Sequence, residues 1–158
     1  MTVPVPALSA VPRVLKAVRV LLLADATLTA RLATAPASVG GGPAIYTEGY
    51  VPPDARTDYL TIGPFTEVPD LTMGSGRRWG SVVTFTTKLV TVSRDLGASL
   101  MTVDRLVVLL HGVPLTVDDY AAGSCVLETS VEAYQEMIAG AQYSHYPAIW
   151  RVRVHQPQ

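Results

Sequence analysis

The chain has 158 residues, of which 49 % are hydrophobic and only 16 % are Asp, Glu, Lys or Arg, against about 25 % charged residues in typical soluble domains. Disorder as the overall state is excluded, because low hydropathy and high net charge are both missing. Twelve basic and thirteen acidic groups leave a formal charge of −1, so no overall field is available to gather nucleic acid.

The length fits a single domain, 1–158, since domains cluster near 100–150 residues. Thin charge together with a mean hydropathy of +0.30 predicts a subunit that covers more of its surface than a solitary monomer does. Cys125 is the only cysteine, which excludes an internal disulfide framework and a Cys-based zinc site. The most apolar stretch, 14–24, is interrupted by Lys16 and Arg19 and is shorter than the roughly 20 residues a membrane span requires. The opening MTVPVPALSAVP carries no basic residue before Arg13, unlike a secretory signal. The expectation is a soluble intracellular product with no membrane contact.

Residues 1–10 read as an extended N-terminal arm, because Pro4, Pro6 and Pro12 resist helix initiation. Ser9 or Ala10 then hands over to a helix that tolerates Pro12 in its first turn. Val11, Val14, Leu15, Val18, Leu21 and Leu22 follow the spacing of one buried helical face, and Arg13, Lys16 and Arg19 share the rest. Asp25 is placed to cap a short second turn carrying Leu28 and Leu32. Residues 35–42 are turn-rich, 44–47 a short strand, and 51–57 is broken by Pro52 and Pro53. Tyr59, Leu60, Thr61 and Ile62 form a second strand of β-favouring types. The segment 63–80, GPFTEVPDLTMGSGRRWG, holds four glycines and two prolines and reads as a long flexible loop. Loops above about 12–15 residues are usually functional or disordered.

Residues 81–94, SVVTFTTKLVTVSR, give the strongest strand signal. Val83, Phe85 and Leu89 share one face, and beyond Leu89 the apolar register shifts to Val90 and Val92, which predicts a bulge or twist. Asp95 or Ser99 caps a second helix with an inner face of Leu100, Val103, Leu106, Val107 and Leu110, stopped by Gly112 and Pro114. Residues 125–134 alternate as a half-exposed strand, 139–146 read as a turn region, and 149–155 alternate again. The predicted order is α-β-β-β-α-β-β. The fold class is α+β: two helices packed on one face of a four- or five-stranded, mainly antiparallel sheet.

Catalytic patterns are absent. His111, His145 and His155 lack the i+3 or i+4 partners of a metal helix. Ser75 and Ser124 sit in no G-x-S-x-G elbow. Gly74, Gly76 and Gly80 precede a strand, whereas a phosphate cradle needs a helix N-terminus. The adjacent acids Asp118 and Asp119 read as solvated. The expectation is no catalytic site, no metal and no cofactor.

Charge distribution says more than its total. Arg13, Lys16, Arg19 and Arg31 fall in the first helical region. Asp118, Asp119, Glu128, Glu132 and Glu136 run through the later part of the chain, and Arg151, Arg153 and His155 close it. These are either solvated faces, complementary patches that pair copies of the chain, or an acidic face lining a DNA channel. Arg77, Arg78 and Trp79 in the glycine-rich segment are candidates for contact with a partner or with nucleic acid. A rival reading makes the chain a small nucleic-acid-binding module using Arg77, Arg78, Arg151 and Arg153 with Trp79 and Trp150.

The order of segments is distinctive. A leading helix ends in LLLADATLTARL; AIYTEGYVPP and DYLTIG follow, then the SVVTFTTKLVTVSRD strand, a helix ending in LLHGVPLTV, an acidic strand and a closing IWRVRVH. This order resembles the tail terminator (tail completion) proteins of long-tailed bacteriophages and of gene transfer particles, over roughly 11–154. The sequence departs from that pattern at Asp58, where family members more often carry Pro before the strand tyrosine, and in the longer 63–80 segment. The resemblance implies a homohexameric ring on the last ring of the tail tube. Such a ring stops tube polymerisation, offers a docking surface to the head–tail connector, and lets genomic DNA pass without sequence-specific binding. It implies a place at the head-proximal end of the virion tail after assembly in the host cytoplasm, with the major tail tube protein and the connector as partners. A different neck or head–tail joining role in the same particle is the near alternative. Arg13, Lys16, Arg19, Arg77, Arg78, Trp79, Glu128 and Glu132 are the expected subunit or partner contacts, with the first helix and the acidic strand near them.

Overall fold

The computed structural model describes residues 9–71, 78–92, 95–121 and 123–155. The helices are α1 (Val11–Leu23), α2 (Ala26–Thr29) and α3 (Leu96–Leu110), with a 3-10 turn at Ala37–Val39. The strands are β1 (Ile45–Thr47), β2 (Tyr59–Leu71), β3 (Arg78–Thr91), β4 (Cys125–Ser130), β5 (Tyr134–Ile138) and β6 (Ala141–His155). They form one sheet in the order β1-β2-β3-β6-β4, with β5 also paired to β6. Only β1–β2 is parallel. β4 pairs with the later part of β6 and β5 with its beginning, so these two strands lie end to end along one side of it.

The apolar spacing of α1 buries Val14, Val18 and Leu22, as expected. Both carboxylate caps form: Asp25 accepts from the Leu28 N–H at 2.7 Å and Asp95 from the Ala98 N–H at 3.1 Å, satisfying donors a helix start leaves orphaned. The inward positions of the strands, among them Leu60, Ile62, Val83, Phe85, Leu89, Trp150, Val152 and Val154, meet α1, Leu106 and Leu110 in one core. Trp150 is completely buried and donates its indole N–H to Thr87 Oγ1 at 2.8 Å, so its one polar atom carries no desolvation penalty.

Several expectations are corrected. The 63–80 segment is not a long loop. β2 runs on to Leu71 and pairs with β3 from Phe65 opposite Phe85 to Leu71 opposite Arg78, and 72–77 lie outside the described residues. Its Gly and Pro act locally. Gly63, at φ +121°, and Pro64 occupy a bulge between Ile62 and Phe65. The extra residue turns Phe65 inward to stack on Phe85 with centroids 5.6 Å apart. Pro69 is tolerated because β1 covers β2 only at 60–62, leaving an edge that needs no donor beyond it.

The bulge expected beyond Leu89 is absent from β3, whose pairing with both neighbours runs unbroken there. Val90 is buried on the opposite face, opposite Tyr59 and His145. The turn expected at 139–146 shrinks to Ala139 and Gly140, both at positive φ, joining β5 to β6. Polar residues after it obscured a strand whose sides are both partly wet. The strand expected over 125–134 ends at Ser130 and β5 is additional, so the sheet has six strands. Leu100 is 45 % exposed rather than inward. Ser99 and Thr102 take buried positions, their hydroxyls donating to the Asp95 and Ala98 carbonyls at 3.2 and 3.1 Å.

Candidate functional site

The residue types that carry chemistry are dispersed. His111 caps the end of α3, its Nδ1 accepting from the Leu127 N–H at 3.1 Å. His155 ends β6, where its backbone pairs with Gly80 and Ala121. Cys125 is buried in the core, and burial pushes its thiol up to about 12, which removes the thiolate a nucleophile needs. Asp118 and Asp119 do not act as a pair: Asp118 takes Lys16 Nζ at 2.6 Å and Asp119 takes Arg13 Nε at 2.9 Å. The Lys16 hydrogen bond holds the Asp118 carboxyl below its ordinary value. Among the described residues no three His, Cys, Asp or Glu side chains gather in a way that could hold a metal ion, and no helix is long and apolar enough to cross a membrane.

The expected contact charges divide into two groups. Arg13 and Lys16 fasten α1 to the 118–119 turn, and Glu128 pairs with Arg151 at 3.1 Å. These three are engaged within the chain. Arg19 and Glu132 are exposed and have no ion-pair partner among the described residues. Arg77 and the side chains of Arg78 and Trp79 lie outside the described residues. The nucleic-acid reading loses Trp150, which is buried and unavailable for stacking; Arg151 pairs with Glu128 at 3.1 Å, and exposed Arg153 approaches Asp70 to 3.8 Å.

Sequence reasoning missed the apolar exterior. The solvent side of α3 presents Leu96, Leu100, Met101 and Val108, the last 64 % exposed. The signal was there: 96–110 is apolar nearly all round, which for a helix on a sheet implies a second covered face. All five residues of β5 are exposed, including Met137 at 66 % and Ile138. A groove of about 380 Å³ runs between α1 and the 114–118 segment. Exposed large apolar side chains clustered on one element are a feature of interaction surfaces.

The sheet face away from the helices carries a compact polar and aromatic cluster. Tyr134 stacks on His145 with centroids 4.5 Å apart and planes 3° off parallel. The His145 imidazole is buried, and neither nitrogen makes a hydrogen bond, although Glu136 Oε2 comes within 3.4 Å of Nε2. Burial holds its proton affinity below the ordinary value, Lys88 adds to that, and Glu136 opposes it. Lys88 in turn reaches Glu48 at 3.5 Å.

No family model matches the chain, and no curated protein matches it. Among solved structures, a chain from the "Virion of native gene transfer agent (GTA) particle" has the same fold, with a TM-score of 0.67. The two are 20 % identical, and the alignment covers 94 % of this chain and 99 % of that one. An α+β sheet with helices on one face is thus shared with a chain of that particle.

Proposed function

We propose that the chain is a structural virion protein, a tail terminator whose copies close into a ring of six on the end of the tail tube. The ring stops tube growth and presents the head–tail connector with a docking surface, and genomic DNA passes through it. The observation that carries this reading is the end-to-end likeness in fold to a chain of a gene transfer agent virion, which coincides with the order of segments in the sequence. The unpartnered apolar faces of α3 and β5 support it, since an isolated monomer gains nothing from exposing Met101, Val108 and Met137. The role is non-enzymatic: it rests on surface complementarity between copies, and a closed ring is the arrangement that leaves no such surface wet.

The test is mass and function together. Sedimentation at high concentration is expected to give a species of six times the 16.9 kDa chain mass. Added to polymerising tail tubes, the chain is expected to limit their length. Particles lacking it are expected to carry overlong tails. Tails of normal length left unattached to heads would transfer the assignment to a head–tail joining protein, and a chain that stays monomeric beside tubes growing unchecked would end it.

A further inference from the structure

We propose that residues 1–8 of one copy lie in the groove between α1 and the 114–118 segment of a second copy, so that an exchanged arm fastens neighbouring subunits. The inference rests on the self-association proposed above and adds the segment and the surface that make the contact.

The groove floor is apolar, formed by Ala17, Val20, Leu21, Ala24, Pro114 and Leu115. Its charged rim is already neutralised, because Lys16 holds Asp118 and Arg13 holds Asp119. A charged occupant therefore gains no partner there, and an uncharged apolar one loses nothing. Residues 1–8, MTVPVPAL, contain no charge and alternate aliphatic side chains with Pro4 and Pro6. Proline and the restriction it puts on its preceding residue favour an extended form, which lowers the entropy lost on docking. Eight residues in that form span about 25 Å. The groove follows α1 from Arg13 to Ala24, roughly 16 Å at the helical rise, so the segment is long enough to fill it.

The occupant comes from another copy because the near end is barred. Ser9 and Ala10 are tied to Glu67 of β2, through Ser9 Oγ at 2.5 Å and the Ala10 N–H at 3.0 Å. Arg13 reaches from the Ser9 carbonyl, at 3.4 Å, across to Asp119. Arg13, which lines the groove, is thereby held across the end of it that lies beside Ser9. The far end lies beside exposed Val20 and Ala24, and the arm of a second copy enters from that side.

Cysteine pairing under mild oxidation of the full chain tests this. Cys125 is buried and stays out of the reaction. Mixing Val5→Cys chains with Val20→Cys chains is expected to give a disulfide-linked pair, at least tenfold more than Val5→Cys with Val39→Cys, a control on exposed surface. Removal of residues 1–8 is expected to weaken self-association at least tenfold while leaving the Tm of dilute chain unchanged. Equal linkage to both positions, no linkage, or an internal Val5–Val20 disulfide closed within the doubly substituted chain would overturn the proposal. If the shortened chain assembles as tightly as the whole one, the arm contact is wrong and the ring stands. If the unmodified chain never exceeds monomer mass, both fall.

Discussion

The two halves of β6 show what the helix layer does. Residues 148–152 have β3 on one side and β4 on the other, and the alternate side chains there and just beyond, Ala148, Trp150, Val152 and Val154, disappear beneath α1 and α3. At the start of the same strand the flanking element is β5, whose every residue is exposed, and Ala141 and Gln142 are exposed with it. Backbone pairing runs through both halves. The 148–154 half has the apolar burial, and burial stabilises more, at about 25 cal/mol per Å² of apolar surface against roughly 1 kcal/mol net per hydrogen bond. The first half belongs to the stability of the subunit. The second leaves Met137 and Ile138 in water, a cost that another surface can remove.

That contrast is best broken in the covered half. Trp150→Ala is expected to lose about 3–5 kcal/mol in urea unfolding, because it empties the centre of the core and strips Thr87 of its buried donor. A loss below about 1 kcal/mol would show that the helices do not hold this region as described. Gly123→Ala is expected to cost on the order of 3 kcal/mol. A Cβ there would stand 1.6 Å from the Arg153 carbonyl oxygen, and backbone on both sides cannot yield without parting the edge from β6.

At the next scale, Asp95→Ala removes the cap of α3 and is expected to cost about 1 kcal/mol, read as a shifted denaturation midpoint at constant slope. The hairpin end carries a pH response just below neutrality. Because burial, reinforced by Lys88, depresses the His145 pKa below its ordinary 6.5, the unfolded chain takes up this proton at a higher pH than the folded one. The stabilisation is therefore complete above the unfolded value and is lost as pH falls from about 6.5 towards the depressed folded value. His145→Phe, which keeps a ring beneath Tyr134, is expected to flatten that part of the stability–pH curve, and an unchanged slope would refute the assignment.

The smallest expected effect separates subunit stability from assembly. Met137→Ser is expected to change the unfolding free energy of dilute chain by no more than about 0.5 kcal/mol while reducing self-association at high concentration. An effect on stability as large as that of Asp95→Ala would place Met137 in the fold instead of on its outer surface.

The sequence by itself determined the parts whose physics is local. Spacing of Val14, Val18 and Leu22 set the buried face of α1, the carboxylates of Asp25 and Asp95 set two helix starts, and β-branched alternation through Val83 and Phe85 set the central strand. Partnership was decided only in three dimensions. Gly63 and Pro64 read as loop residues until the pairing with β3 shows that they occupy a bulge. Leu100 reads as core until Ser99 and Thr102, quieted by backbone carbonyls, take the inner positions. Arg13 and Lys16 read as contacts for another subunit or partner, and Asp118 and Asp119, more than one hundred residues away, hold them within the chain. Periodicity reports which side chains avoid water, but not which neighbour they meet, because that choice is made by contacts between residues far apart in the chain.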